Sequence, residues 1–243
     1  MVGSIEVREF KKISLEGGTV LDGFPSVGLA TSIAATYLIS TLNLDQVAAL
    51  ESERFPPLSM VYDSKPKFPA RIYASDKWRI AVFLAEFSPD PHLDREIAKT
   101  ILGWAREHYC SLVISPVEMP LGQEKEEVGE EVFGVGSTER ARQRLRKSGI
   151  NELGVGIVAG VAGVLLNEGR WSDFDIISLG VRSHKEYPDA RAAAKVVEAI
   201  DKLLPDLQID VKPLYEEAEA IETRLKALRT QARPVQPPPG IYG

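Results

Sequence analysis

The chain has 243 residues, 44% of them hydrophobic and 26% charged, which is ordinary globular usage and length enough for one large α/β domain or two smaller ones. A formal net charge of −6 and a pI near 5.3 weigh against nucleic acid or an anionic membrane as partner of the whole molecule, because such contacts draw on clustered Lys and Arg. The single cysteine, Cys110, excludes an internal disulfide and fits a reducing cytoplasm. With no basic start before an apolar segment and no run of spanning length, neither standard secretion nor membrane insertion is expected.

Taken in chain order, strands are predicted at "GTVLDGF" from Gly18, "VAALES" from Val47, "ARIYAS" from Ala70 and "RIAVFLAEF" from Arg79. Several of these are nearly continuous in apolar residues, which points to burial on both faces of a sheet. A helix over Ser26–Thr41 follows the first strand, and another over Pro91–His108 has Asp90 placed to cap it and Pro91 in its first turn. "SLVISPVEM" from Ser111 is the next strand. The charged, glycine-broken stretch "EMPLGQEKEEVGEEVFG" from Glu118 reads as a loop or lid. A basic helix over Thr138–Lys147 is expected to be capped by Ser137 and stopped by Gly149; its "RARQRLRK" run from Arg140 reads as a solvated helix face. Strands at "LGVGIVAG" from Leu153 and "DFDIISLGV" from Asp173 precede a helix over Pro188–Leu204 that Pro205 ends. Alternation of strands and helices predicts an α/β fold with helices covering the sheet.

After Pro213 the pattern changes. Leu214, Ala218, Ile221, Leu225 and Leu228 recur at helical spacing, with acidic residues early and basic ones late, so an amphipathic helix is expected to Arg233. Its stripe can pack on its own domain or on a copy, and periodicity does not choose between them. The stem "PVQPPPG" then stops the helix and favours an extended polyproline conformation. The organisation predicted is an α/β domain over residues 1–212, a helix over 213–233 and a Pro-rich tail over 234–243.

Few residues announce chemistry. Gly154, Gly156, Gly160 and Gly163 invite a phosphate-cradle reading, but the spacing is GxGxxxG rather than GxGxxG and GxxxxGK is absent, so close packing is preferred and no cofactor is expected. Gly23 and Gly28 receive the same reading. His92, His108 and His184 lack zinc spacing, and Cys110 beside His108 is not a catalytic pair by nearness in sequence. If the fold carries a ligand site, Glu86, Asp90 and Glu118 near strand ends are where to look, since open α/β sheets bind ligands beyond their strands' carboxyl ends. No catalytic or metal-ligating residue is assigned. The terminal Ile241, Tyr242 and Gly243 are different in kind. Held roughly 20 to 30 Å beyond the helix by the stem, they combine an apolar residue, an aromatic anchor and a carboxylate, the parts of a short linear ligand; the alternative is a ragged end.

Several blocks together resemble the archaeal proteasome-assembly chaperone family, itself related to the eukaryotic proteasome-assembling chaperones: "DGFPSVGLATSIAATYLISTL", "FPPLSMVYDSKPKFPARIY", "FGVGSTERARQRLRKSGI", "GVGIVAGVAGVLL" and "PDARAAAKVVEAIDKLL", spanning roughly residues 10 to 205 in order. The resemblance implies a three-layer α/β/α sandwich similar to nucleoside phosphorylases and an oligomeric assembly factor, a tetramer being favoured, with no established catalysis. It further implies that Ile241, Tyr242 and Gly243 match a hydrophobic-Tyr-X tail that docks between α subunits of the 20S proteasome ring, with Ile241 as apolar contact, Tyr242 as pocket anchor and the Gly243 carboxylate facing a ring lysine. Two readings remain open: a phosphorylase- or hydrolase-like enzyme on a nucleoside-type substrate, and an oligomeric scaffold that uses the helix from Leu214 to Arg233.

Overall fold

A computed structural model describes residues 5–25, 29–120, 132–183 and 188–218. Its elements in chain order are β1 (Glu6–Glu9), β2 (Thr19–Gly23), α1 (Ala30–Thr41), β3 (Asp45–Glu51), β4 (Met60–Tyr62), β5 (Lys65–Lys67), β6 (Ala70–Ser75) and β7 (Ile80–Ala85). They continue through a 3-10 turn (Pro91–Leu93), α2 (Asp94–Glu107), β8 (Leu112–Pro120), β9 (Phe133–Gly136), α3 (Glu139–Lys147), β10 (Asn151–Glu152), α4 (Gly160–Ser172), β11 (Asp175–Ser183) and α5 (Ala190–Leu203). Among the described residues one sheet runs β1-β3-β6-β7-β2-β8-β11-β9-β10, and β4-β5 form a separate hairpin.

The centre of the sheet, β7-β2-β8-β11, is parallel, while β1, β3 and β6 join it antiparallel on one side and β9 on the other. Continuous apolar runs have a direct cause here: successive side chains point to opposite faces, and both faces are covered. Leu21, Ile80, Val82, Leu84, Ile114 and Ile177 enter one core with α1, α3 and α5. Val20, Ala81, Phe83, Val113 and Ile176 enter the other with α2 and α4. The result is the expected three-layer α/β/α arrangement. Gly23 lets α1 lie close to the sheet, since a β-carbon there would collide with the Phe83 carbonyl and the Ala35 methyl.

Asp90 accepts from the His92 N–H at 2.8 Å as expected, and Gly149, at φ 67, takes the left-handed position just past α3. Helix α5 begins at Ala190 rather than Pro188, and Asp189 caps it, accepting from the Ala192 N–H. The cap of α3 is Thr138, not Ser137: Thr138 Oγ1 accepts from the Ala141 N–H at 3.0 Å. Ser137 instead braces β11, donating to the Phe174 carbonyl and accepting from the Ile176 N–H.

The strand expected at Leu153–Gly160 is absent. Residues 153–159 form a loop whose Val155 and Ile157 are 95% and 90% exposed, and α4, unread in the sequence, begins at Gly160. Gly160 at φ 70 breaks extended backbone, and Ala162, Leu165, Leu166 and Gly169 form a buried helical stripe behind it. The corresponding sheet position is filled by β9, from the end of the charged stretch read as a loop; residues 121–131 of that stretch lie outside the described residues.

At the other edge β1 is fixed by Glu9, whose carboxylate accepts from Trp104 Nε1 at 2.9 Å and lies 3.1 Å from His108 Nε2, while the two rings stack. Residues 212–218 are helical, and their Leu214 packs on the domain's own core. Most of the predicted C-terminal helix, and the tail, lie outside the described residues. No helix among the described residues is long and apolar enough to cross a membrane.

Phe83 is fully buried and meets Trp104 edge-on with ring centroids 5.5 Å apart. Phe83→Ala should therefore cost about 3–5 kcal/mol, read as a lower denaturant midpoint with little change in slope.

Candidate functional site

The parallel strands deliver their carboxyl ends to one edge of the sheet, where chain leaving β2, β7 and β8 meets the start of α4. A cavity of about 530 Å³ opens there, walled by Phe24, Pro25, Pro91, Val117 and Val161 and carrying the carboxyls of Asp22, Asp94 and Glu118. Asp22 stands in an otherwise apolar strand and is buried. Its carboxylate accepts from Ser115 Oγ at 2.7 Å and from the Phe24 N–H at 3.1 Å. Burial, with a smaller contribution from Asp94, nonetheless raises its pKa to about 6. Asp94 is also raised, by burial first and then by neighbouring Asp90. Glu118 accepts from the Thr31 N–H at 2.9 Å and so ties β8 to α1.

The carboxylates singled out from the sequence are not brought together. Glu118 lines the cavity, but Asp90 spends its side chain on the 3-10 turn. Glu86 accepts from the Tyr62 hydroxyl and pairs with buried Arg71 at 2.9 Å, locking the β4–β5 hairpin to the sheet. Asp22 and Asp94 were missed. A lone acid inside the apolar run "TVLDGF" was the available signal for Asp22; Asp94 carried none.

Only part of the glycine stretch is explained by packing: a β-carbon on Gly156 would meet the Leu153 side chain, whereas one on Gly154 would meet nothing within 4 Å and Gly160 answers to its positive φ. A β-carbon on Gly163 would meet the Val158 carbonyl. The N-terminus of α4 lacks a side-chain cap and faces the cavity, but Asp94 Oδ2 lies 3.7 Å from where a Gly160 β-carbon would be. With three carboxyls and no Lys or Arg among the described lining, the cavity's charge opposes a phosphate. Among the described residues no His, Cys, Asp and Glu cluster could hold a metal ion. Burial pushes the Cys110 thiol up to about 12, so it is held protonated and is a poor nucleophile. His184, Ile241, Tyr242 and Gly243 lie outside the described residues.

The PAC2 family profile matches residues 20–229. The chain belongs to the PAC2 family. A relative from Methanocaldococcus jannaschii, described only as an uncharacterized protein, is 30% identical over 231 residues, covering 95% of this chain and 93% of that one. The crystal structure of Pyrococcus furiosus PbaA, described as an archaeal homolog of proteasome-assembly chaperone, superposes with a TM-score of 0.82 at 32% identity, over 93% of this chain and 92% of that one. Pyrococcus furiosus PbaB, described as an archaeal proteasome activator, shares the fold with a TM-score of 0.78 at 22% identity, over 93% and 99% of the two chains. The α/β/α architecture is thus the PAC2 fold, and the cavity lies within the region that the profile matches.

The raised Asp22 pKa has a definite sign in this PAC2 protein. Between its ordinary value of 3.8 and about 6, the folded state holds the proton more tightly than the unfolded state, so this group's contribution falls as pH rises and is fully unfavourable above pH 6. Asp22→Asn should raise stability relative to the parent at pH 7, by on the order of 2–3 kcal/mol. That difference should shrink towards pH 4, as followed by chemical denaturation across the range.

Proposed function

We propose that this PAC2 protein is a proteasome-assembly chaperone or activator-like factor, a binding protein rather than an enzyme, acting in the cytoplasm as a homo-oligomer. The observation that carries the reading is the similarity to PbaA along nearly the whole of both chains. The carboxylate-lined cavity supports the non-catalytic side of it, because a phosphorylase-like reaction would need to hold phosphate where this chain gathers negative charge.

The partner proposed is the α-subunit ring of the 20S proteasome, reached through Ile241, Tyr242 and Gly243. Support comes from sequence alone: the tripeptide follows a stem rich in proline, and both lie beyond the span of the family match. Such a stem holds a short ligand away from the folded domain at little further entropic cost. One tripeptide makes few contacts, so several tails on one oligomer would supply affinity through avidity, by about 10² to 10⁴.

The test is binding to a cognate α-subunit ring by the parent, by Tyr242→Ala and by a chain carrying one added residue after Gly243. A buried aromatic anchor contributes about 2 kcal/mol or more, so each altered tail should lose roughly 30-fold in affinity, and multivalent binding should lose more. Arg224→Ala, outside the tail, should change little. Unchanged ring binding by both tail variants would turn attention to the helix that begins before Leu214 or to the folded domain.

A further inference from the structure

A groove of about 610 Å³ runs along α1, between that helix and the chain leaving β7, with Pro25, Leu29, Ile33, Leu84 and Phe87 in its apolar lining. Leu29 is 41% exposed there. Of the described chain after α5, only Leu214 and Glu217 reach the groove, so it lies ahead of the first turn of the C-terminal helix rather than beneath the root of that helix.

The root is held to the same two elements that flank the groove's floor. The Tyr37 hydroxyl of α1 donates to the Asp210 carbonyl, and the Tyr215 hydroxyl donates to Glu198 of α5 at 3.0 Å. Leu214 and Ala218 are buried, Leu214 within the core shared by α1 and α5. A helix turns once in 3.6 residues and rises 1.5 Å with each, so the placement of residues 212–218 sets the path of the next turns for as long as the helical pattern lasts.

In the sequence that pattern lasts well beyond Ala218. Ile221 follows Leu214, Glu217 and Ala218 at spacings of seven, four and three and therefore shares their face, and Leu225 and Leu228 continue it. No Gly or Pro interrupts the chain from Leu214 to Arg233. The family profile runs through the same stretch to residue 229 and stops before the proline stem. A helix of this length is marginal in water unless its apolar stripe finds a surface, and the surface that its own first turns already border is the groove.

We infer that residues 219–228 continue the helix along this groove of their own chain, with Ile221 and Leu225 against Ile33 and Leu29. This decides the choice that periodicity leaves open, in favour of the chain's own domain and against a copy. The Pro-rich stem then leaves from a fixed place, roughly 22 Å beyond Ala218 along the helix axis, instead of swinging on a free helix. The inference does not depend on ring binding or on oligomerisation, since a docked and an undocked helix carry the same tripeptide.

Thiol labelling of the full chain tests it, with Leu29→Cys as reporter. Cys110 is the internal control: it is buried, its thiol is pushed up to about 12, and it should stay unreactive towards a maleimide wherever the domain remains folded. Adding Ile221→Glu/Leu225→Glu should speed labelling of the new thiol roughly tenfold or more, because burial of two aliphatic side chains makes an open groove at least that rare. The slow labelling seen without the two glutamates should be the same at micromolar and nanomolar protein. Independently of how the variants fold, hydrogen exchange on the unaltered chain should be about a hundredfold slower over residues 219–228 than over residues 240–243. Equal labelling with and without the glutamates, or exchange over 219–228 as fast as in the tail, would overturn the docked helix. Protection of the new thiol that fades on dilution would overturn it too, by assigning the groove to the helix of another copy.

Discussion

Burial of both faces of the four central parallel strands is the constraint on which the rest of the molecule depends. Because Val20 and Leu21, or Phe83 and Leu84, belong to different cores, neither core can form without the other, and helices must lie on both sides. Parallel neighbours cannot be joined by hairpins, so connections cross back over a face and all the parallel carboxyl ends gather at one edge. The cavity exists there for that topological reason. Small residues complete the arrangement: Ala34 and Ala35 of α1 and Ala192, Ala193 and Ala199 of α5 are buried in the same core, which lets these two helices approach each other closely.

Charge is handled in two ways by this scaffold. At the surface, the run that begins at Arg140 is largely stitched to its own domain: Arg140 pairs with Asp173 and Asp175, Arg142 and Arg146 with Glu139, and Arg146 also with Glu152. Exposed pairs of this kind add little stability, but they leave few cations of α3 for a polyanion. In the interior, carboxylates serve as joints. Glu118 links β8 to α1, Asp22 takes hydrogen bonds from β8 and from the turn after β2, and Glu86 joins the hairpin to β6 through Arg71. Asp22 is the strained member, its two hydrogen bonds only partly offsetting the cost of burying its charge.

The site was less legible than the fold, and particular residues show why. Glu86, Asp90 and Glu118 were correctly placed near strand ends, yet their side chains part company, because Arg71 and the His92 N–H claim two of them. Those partners are not chosen by spacing along the chain. Asp22 meets Ser115 across 93 residues of sequence, and Asp94 comes beside Gly160 through helix packing. The glycines of "GVGIVAG" mislead for a related reason: their neighbours are apolar enough for a strand, but Gly160 takes a left-handed conformation that starts a helix.

What the sequence determined by itself was whatever depends on near neighbours: the two-faced strands of the central sheet, the cap at Asp90, the stop at Gly149, and the proline stem before Ile241. Each follows from side-chain period or from one residue's own backbone preference. The tertiary structure alone decided that Phe133–Gly136 rather than Leu153–Gly160 fills the place beside β11, that Asp22, Asp94 and Glu118 face one cavity, and that Val155 and Ile157 stand in the open. These outcomes hang on contacts between segments far apart in the chain. Their free energies are decided by which surfaces pack together, which local pattern does not encode.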